Sequence, residues 1–323
     1  MMTDVLGFRI VGPCTSERRL VDWQAAFVAH ASLDDRIDAN QEAYLSAFVF
    51  GDDFERHLKD AGSTKGFDGP CGSEFIWFDI DRTNDLETAQ RDAARLSLFI
   101  VERYGLDEDE LLIYFSGSKG FHVGLTTKLW TPTPFTSFHG VARRFAETLA
   151  TAASVAIDIG VYDKVRAFRA PNSRHPKSGL HKRALTLDEL MYLSVERIQE
   201  LAREPLPFDL PSVSSKCHRA ATDWQEAAQR VDQEAEAARQ KRIVSNGSGT
   251  LNRATLDFIR DGASAGDRHR LLFSAAANLA EFATVAELIH AVLSQAALES
   301  GLSPSETRRQ IECGINHLKG TES

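Results

Sequence analysis

Long apolar runs are missing from this 323-residue sequence. No stretch approaches the roughly 20 uninterrupted apolar residues that span a bilayer, so no membrane association is expected. Cysteine is scarce: Cys14, Cys71, Cys217 and Cys313 lie far apart with no CxxC pair. That removes the usual spacing for a structural zinc site or a dithiol redox centre. The start, MMTDVLGFRIVGPCTSERR, lacks a basic n-region, an apolar core and a small-residue cleavage site, so export is not expected and a cytoplasmic location is. No G-x-x-x-x-G-K-[ST] run is present, which excludes a recognisable P-loop motor, and no solenoid-type repeat is seen. What remains is ordinary for a soluble protein, 43% apolar and 26% charged. The length predicts one larger catalytic unit and a smaller accessory one.

A net charge of −9 argues against a nucleic-acid partner until its distribution is read. Between Lys164 and Arg183 the chain carries Lys164, Arg166, Arg169, Arg174, Lys177, Lys182 and Arg183 with no acidic residue. A charge run is weak evidence alone, but this one is a local anion site inside an acidic protein.

The element pattern is α+β. DWQAAFVAHA is helix-like, whereas AYLSAFVF suits a strand or a short buried helix. The Gly-rich loop 62–73 leads into EFIWFDID, whose aromatic and β-branched content predicts a strand. Asn84 and Glu87 are placed as a capping box for a helix that Gly105 ends. LLIYFSG and FHVGLTT read as two strands around an SGSKG turn, followed by a helix over 137–153 and a strand at VAIDIGVY. Thr186 with Glu189 caps TLDELMYL, and SVERIQELAR forms a second short helix. Pro205, Pro207 and Pro211 mark a boundary. The expected division is therefore a catalytic domain over 1–212, a linker over 213–250 and a helical domain over 251–323. In the linker, 222–243 suits an exposed helix and 245–250 a flexible break. In the helical domain, Thr284 with Glu287 and Ser303 with Glu306 supply N-terminal caps.

Three motifs carry chemistry. Strand alternation puts Asp79 and Asp81 of WFDID on one side while Phe78 and Ile80 turn into the core. Neighbouring carboxylates repel unless a cation neutralises them, and hard oxygen ligands favour magnesium or manganese. Taken alone, such a pair is more often a solvated strand end with a capping aspartate. In the second motif, SGSKGFH, the glycines permit close approach, and Ser116, Ser118, Lys119 and His122 offer groups for phosphate oxygens. The third, AIDIGVYDKVRAFRAPNSRHPKSGLHK, sets Asp158 in an apolar stretch and follows it with Arg166 and Arg169, whose planar forks suit phosphate. Lys177 and Lys182 extend that anion surface. Asp163 is a rival third carboxylate; Asp158 is preferred for its strand-like flanks.

FDID, SGSKGFHV and IDIGVYDKVRAFRAPNS, in that order, resemble the three motifs of the archaeo-eukaryotic primase superfamily, most closely its phage and plasmid primase-polymerases. The resemblance covers about Glu74 to Leu185, and a fainter one to helical primase modules covers the C-terminal part. It implies an RRM-like mixed-sheet catalytic domain followed by a small all-α domain. It implies that Asp79, Asp81 and Asp158 bind two divalent ions, Mg2+ or Mn2+. Ser116, Ser118, Lys119, His122 and Arg169 would hold a nucleoside triphosphate, with Arg166 and Lys177 in support. Many relatives carry a zinc-binding insertion; the span from His122 to Asp158 has no cysteine, so no zinc is expected. The implied partners are a single-stranded DNA template and nucleoside triphosphates, with a replicative helicase as a candidate. The implied activity is DNA primase, template-dependent nucleotidyl transfer to a 3′-hydroxyl. The helical C-terminal unit favours priming over primer extension in repair or lesion bypass. A catalytically silent DNA-binding module of a replication initiator and a metal-dependent phosphodiesterase are the competing readings.

Overall fold

A computed structural model describes residues 5–212, 215–247, 251–282 and 285–319. The chain divides into two compact units, Met1–Asp232 and Gln233–Ser323. In the first, β1 (Leu6–Val11), β2 (Arg19–Asp22), α1 (Trp23–Ser32), β3 (Ala43–Ser46), β4 (Val49–Phe50), α2 (Asp52–Ala61) and β5 (Cys71–Gly72) come first. They are followed by β6 (Phe75–Asp81), α3 (Leu86–Tyr104), β7 (Leu111–Phe115), β8 (Gly120–Thr126) and α4 (Phe138–Ala152). Then come β9 (Ala167–Arg169), β10 (Arg183–Leu185), α5 (Leu187–Tyr192) and α6 (Val195–Leu201). Helix α7 (His218–Gly247) crosses the division, and α8 (Arg253–Asp261), α9 (Arg268–Ala280), α10 (Ala286–Glu299) and α11 (Pro304–Lys319) complete the second unit.

The α+β class is as expected, and every strand pairing is antiparallel. One sheet runs β5-β4-β1-β3-β9 with β2 beside β1; the other runs β10-β7-β8-β6. AYLSAFVF resolves into two strands, β3 and β4, of the first sheet. The SGSKG turn joins β7 to β8 as a tight hairpin, closed by the Ser116 N–H donating to the Gly120 carbonyl at 2.9 Å, with Gly117 at φ 84°. Alternating aromatic residues of β6 and aromatic residues of α1 fill the interior: Trp23 stacks on Phe27 at 4.9 Å, Phe27 on Phe75 at 5.5 Å, and Trp77 lies 5.3 Å from Phe168 of β9.

Several local expectations shift by a residue or change type. Helix α3 is capped by Asp85, whose carboxylate accepts from the Thr88 N–H at 3.0 Å, because Asn84 takes a left-handed φ of 59°. VAIDIGVY is not a strand: Asp158 caps a 3-10 turn, Ile159–Tyr162. The Thr186–Glu189 capping box forms as read, as does Ser303–Glu306 at the start of α11. Thr284 and residues 248–250 lie outside the described residues.

The beginning of α7 is not an exposed helix. Trp224 packs 4.9 Å from Phe138, 5.6 Å from Trp130 and 5.7 Å from Phe145. Beside it the buried Asp223 accepts from Arg103 Nε at 2.7 Å, Arg103 Nη2 at 2.9 Å and Tyr104 OH at 2.9 Å. The high charge of this segment masks its buried face, since its later residues are mostly solvent-exposed. In the second unit the helices close over Phe258, Leu272, Ile289, Leu293 and Ile311. No helix among the described residues is long and apolar enough to cross a membrane.

Candidate nucleotidyl-transfer site

Strand β6 is an edge strand of its sheet, yet its outer carbonyls are not left to water. Tyr162 OH donates to the Trp77 carbonyl and the Asp158 N–H donates to the Asp79 carbonyl at 2.8 Å. The turn after α4 thus caps the exposed edge, and in doing so sets Asp158 beside Asp79. Capping of an unpaired edge removes a pairing hazard and satisfies buried backbone at the same time.

On its inner edge β6 pairs with β8 in a register that puts Asp79 opposite His122 and Asp81 opposite Gly120. Asp79 is 14% exposed, and its Oδ1 lies 3.4 Å from His122 Nε2. That oxygen is buried and without a hydrogen-bond partner among the described residues. Burial pushes the Asp79 carboxyl up, but His122, Lys182 and Lys119 outweigh it and hold the group below its ordinary value. Burial also lowers the His122 pKa, with Lys182 adding to the effect and Asp79 opposing it. The imidazole is therefore neutral, with Nε2 facing the carboxylate.

Asp81 Oδ2 meets Lys119 Nζ at 2.8 Å; the lysine, on the hairpin tip, is 60% exposed. The Asp81 hydrogen bond and then the Asp81 charge raise the Lys119 pKa against the effect of burial, with the charges of Asp79 and Asp158 adding less. One ammonium thus senses all three predicted carboxylates. Glycine is required at position 120, because an added Cβ would collide with both Asp81 Oδ1 and the Ile80 carbonyl.

The third carboxylate differs from expectation in its surroundings. Asp158 is exposed, not buried in an apolar strand, and its Oδ1 accepts from the Gly160 N–H at 2.8 Å. The apolar residues after Asp158 that suggested a strand belong instead to a short 3-10 turn, Ile159–Tyr162. Among the described residues, no three His, Cys, Asp or Glu side chains gather closely enough to form a complete cage. Two adjacent carboxylates with one unsatisfied buried oxygen, and a third acid tethered nearby, still fit a hard divalent cation. Such ions keep waters and take further ligands from substrate phosphates rather than needing an all-protein cage.

The predicted phosphate groups separate into two sets. Ser116 is buried and its Oγ accepts from the Gly120 N–H at 3.3 Å, so it shapes the hairpin; Ser118 is half-buried beside Lys119. Arg169, on β9, stacks over the Tyr44 ring at 4.9 Å and donates to Tyr44 OH at 3.1 Å, while Tyr44 OH donates to Glu42. Tyr44 and Glu42 were invisible as partners in the sequence, where AYLS carried only a strand signal. Lys177 is exposed on a loop that Ser178 Oγ fastens to the Gly117 carbonyl of the hairpin. Arg166 precedes β9 with its side chain in solvent and no ion pair among the described residues.

The basic segment is not the uniform anion surface its composition predicts. Lys164 is buried and donates to the Asp68 and Gly69 carbonyls at 2.8 Å each, pinning the Gly-rich loop. Lys182 and Arg183 are buried as well. An ammonium can be taken from water where carbonyls and aromatic faces replace its hydration, and composition does not reveal where those lie.

No family model matches the sequence, and no curated protein matches it. Two solved structures are similar to the chain. The crystal structure of primase RepB′ is 14% identical, covers 99% of this chain and 91% of its own, and has a TM-score of 0.34. The catalytic domain of primase Repb′ in complex with initiator DNA is 10% identical, with 73% of this chain and 92% of its own covered and a TM-score of 0.35.

Proposed function

We propose that this chain is a DNA primase of the primase-polymerase kind. It would join nucleoside triphosphates on a single-stranded DNA template by two-metal transfer to a 3′-hydroxyl. The observation that carries the reading is the buried, unpartnered Asp79 Oδ1, set two residues from Asp81 and faced by His122 and Lys119 across the β6–β8 ladder. A carboxylate oxygen buried without a donor is costly, and a divalent cation relieves that cost while recruiting phosphate.

Asp79 and Asp81, with Asp158 at the capped edge, are the residues that would hold Mg2+ or Mn2+. Bound there, these ions supply Lewis-acid stabilisation of the attacking and departing oxygens. The chain's own side chains do the rest. Lys119 rides on an exposed hairpin and is held by a single ion pair, so it can turn to a triphosphate oxygen. Arg169 is pre-set by the Tyr44 ring, presenting its guanidinium with little rotamer freedom left to lose. Neutral His122 faces the Asp79 carboxylate, with Nε2 3.4 Å from Oδ1 and no hydrogen bond between them. Lys177, on the loop fastened to the hairpin, adds positive charge beside the same turn, and Arg166 adds it at the entry to β9.

The test is synthesis on single-stranded DNA with nucleotides and Mn2+, with and without a primer. The wild-type chain is expected to make product in both arms. The Asp79→Ala/Asp81→Ala chain is expected to make none while retaining template binding. Product from the double variant, or loss of template binding with it, overturns the assignment; product only in the primed arm replaces priming by primer extension.

A further inference from the structure

Lys182 is 1% exposed, and among the described residues its ammonium has one conventional partner, the Arg169 carbonyl, to which it donates at 2.9 Å. Three aromatic rings surround the rest of it: Nζ lies 4.3 Å from the centroid of Phe168, 4.6 Å from Tyr114 and 5.2 Å from Trp77. These groups come from both sheets. Trp77 and Tyr114 belong to β6 and β7, whereas Phe168 and Arg169 belong to β9. On the first of these sheets, Tyr114, His122 and Asp79 are direct partners across β7, β8 and β6, and Trp77 precedes Asp79 by two residues on the same face. Phe168 in turn lies 4.4 Å from the His122 ring.

No continuous ladder sets the distance between the triphosphate grip and the carboxylates. Strand β9 is three residues long and pairs with β3 at the edge of the other sheet, through Tyr44–Arg169, Leu45–Phe168 and Ser46–Ala167. Upstream, the segment 158–162 is bonded to β6, but β9 itself shares no ladder with that strand, so its placement depends also on what fills the gap between the sheets. A lysine suits that gap because its stem crosses an apolar layer and its end needs a polar or aromatic surround.

We propose that Lys182 is a positioning residue that ties β9 to the carboxylate-bearing sheet and so fixes Arg169 at the triphosphate. This rests on the nucleotidyltransferase reading and deepens it. Burial drives the Lys182 pKa well down, with Asp79 drawing it back and Arg169 opposing. The tie itself needs only the N–H donated to the Arg169 carbonyl. A methionine in its place fills the volume and leaves that carbonyl without the donor.

The experiment measures binding of a fluorescent nonhydrolysable nucleoside triphosphate to the full chain in Mn2+, with melting temperatures taken alongside. Lys182→Met is expected to weaken binding by about 10-fold. Lys182→Gln, which keeps an N–H donor, is expected to lose less. In an Arg169→Ala background Lys182→Met is expected to add less than about twofold, because a residue acting through Arg169 has nothing left to position. A residue that only supports the fold gives its full loss in both backgrounds, and that result overturns the inference. So does wild-type affinity in Lys182→Met, or failure of both Lys182 variants to fold at 25 °C. Absence of nucleotide binding by the wild-type chain overturns the underlying reading instead, and the inference with it.

Discussion

Replacing Lys119 by Met separates two roles that the site assigns to one ammonium. Its Nζ sits 2.8 Å from Asp81 Oδ2, where the proposed divalent cation would bind. Removing it should therefore tighten Mn2+ binding to the nucleotide-free chain. The pair is worth little by ion-pair standards, since the lysine is 60% exposed and the carboxylate 22%. Pairs of this exposure contribute about 0.2–1 kcal/mol, so the gain is about 1.4- to 5-fold in affinity. Nucleotide binding should move the other way. A charge-assisted contact to phosphate is worth about 1.5–3 kcal/mol, and its loss weakens triphosphate binding by about 10-fold or more. Calorimetric titration of Mn2+ gives the first quantity and fluorescence titration of a nucleotide analogue the second. Opposite signs in one variant support the arrangement. Mn2+ affinity that is unchanged or weaker in a chain with wild-type melting temperature refutes competition at Asp81.

Gly120→Ala and Gly124→Ala sit on the same strand and should differ in kind. An alanine at 120 collides with the Ile80 carbonyl and Asp81, whereas one at 124 meets the Trp77 ring at 2.5 Å. Each should cost about 1–3 kcal/mol, read as a lower melting temperature, but only Gly120→Ala should also weaken Mn2+ binding. Trp224→Ala should destabilise the first unit by about 3–5 kcal/mol in urea unfolding, so a functional truncation belongs after Asp232 rather than before α7. His30 gives a pH signature: burial, then the Arg9 charge, lowers its pKa from 6.5 to about 4. The unfolded imidazole takes up a proton below about 6.5 while the folded one stays neutral. Stability is full above that value and falls by about 3 kcal/mol as the pH drops to 4. His30→Leu should flatten that part of the curve in urea titrations; an unchanged slope counts against the assignment.

Legibility in the sequence followed how local the determining physics was. EFIWFDID announced both a strand and a same-sided pair of carboxylates, because alternation is set by two adjacent peptide units. The SGSKG hairpin was equally clear, since Gly117 takes the positive φ that a tight turn demands. Asp158 shows where this stops. Its flanks read as a strand through apolar content, yet the segment turns there, and the Asp158 N–H and Tyr162 hydroxyl seal the edge of β6. A strand edge that needs capping exists only after distant segments have paired.

The basic segment makes the same point through solvation. Seven cations in twenty residues look alike in composition, but three of them, Lys164, Lys182 and Arg183, turn inward. What distinguishes Lys177 from Lys182 is five residues of loop, which leave one in water and bring the other beneath Trp77, Tyr114 and Phe168. Charge counting therefore overstates the anion surface of this chain and misses its internal use of positive charge. If the buried lysines work through backbone carbonyls, as their bonds to Asp68, Gly69 and Arg169 indicate, neutralising them should alter melting temperature more than salt dependence. Neutralising the exposed Lys177 should do the reverse, because only a charge in water trades with counterions when it meets a phosphate.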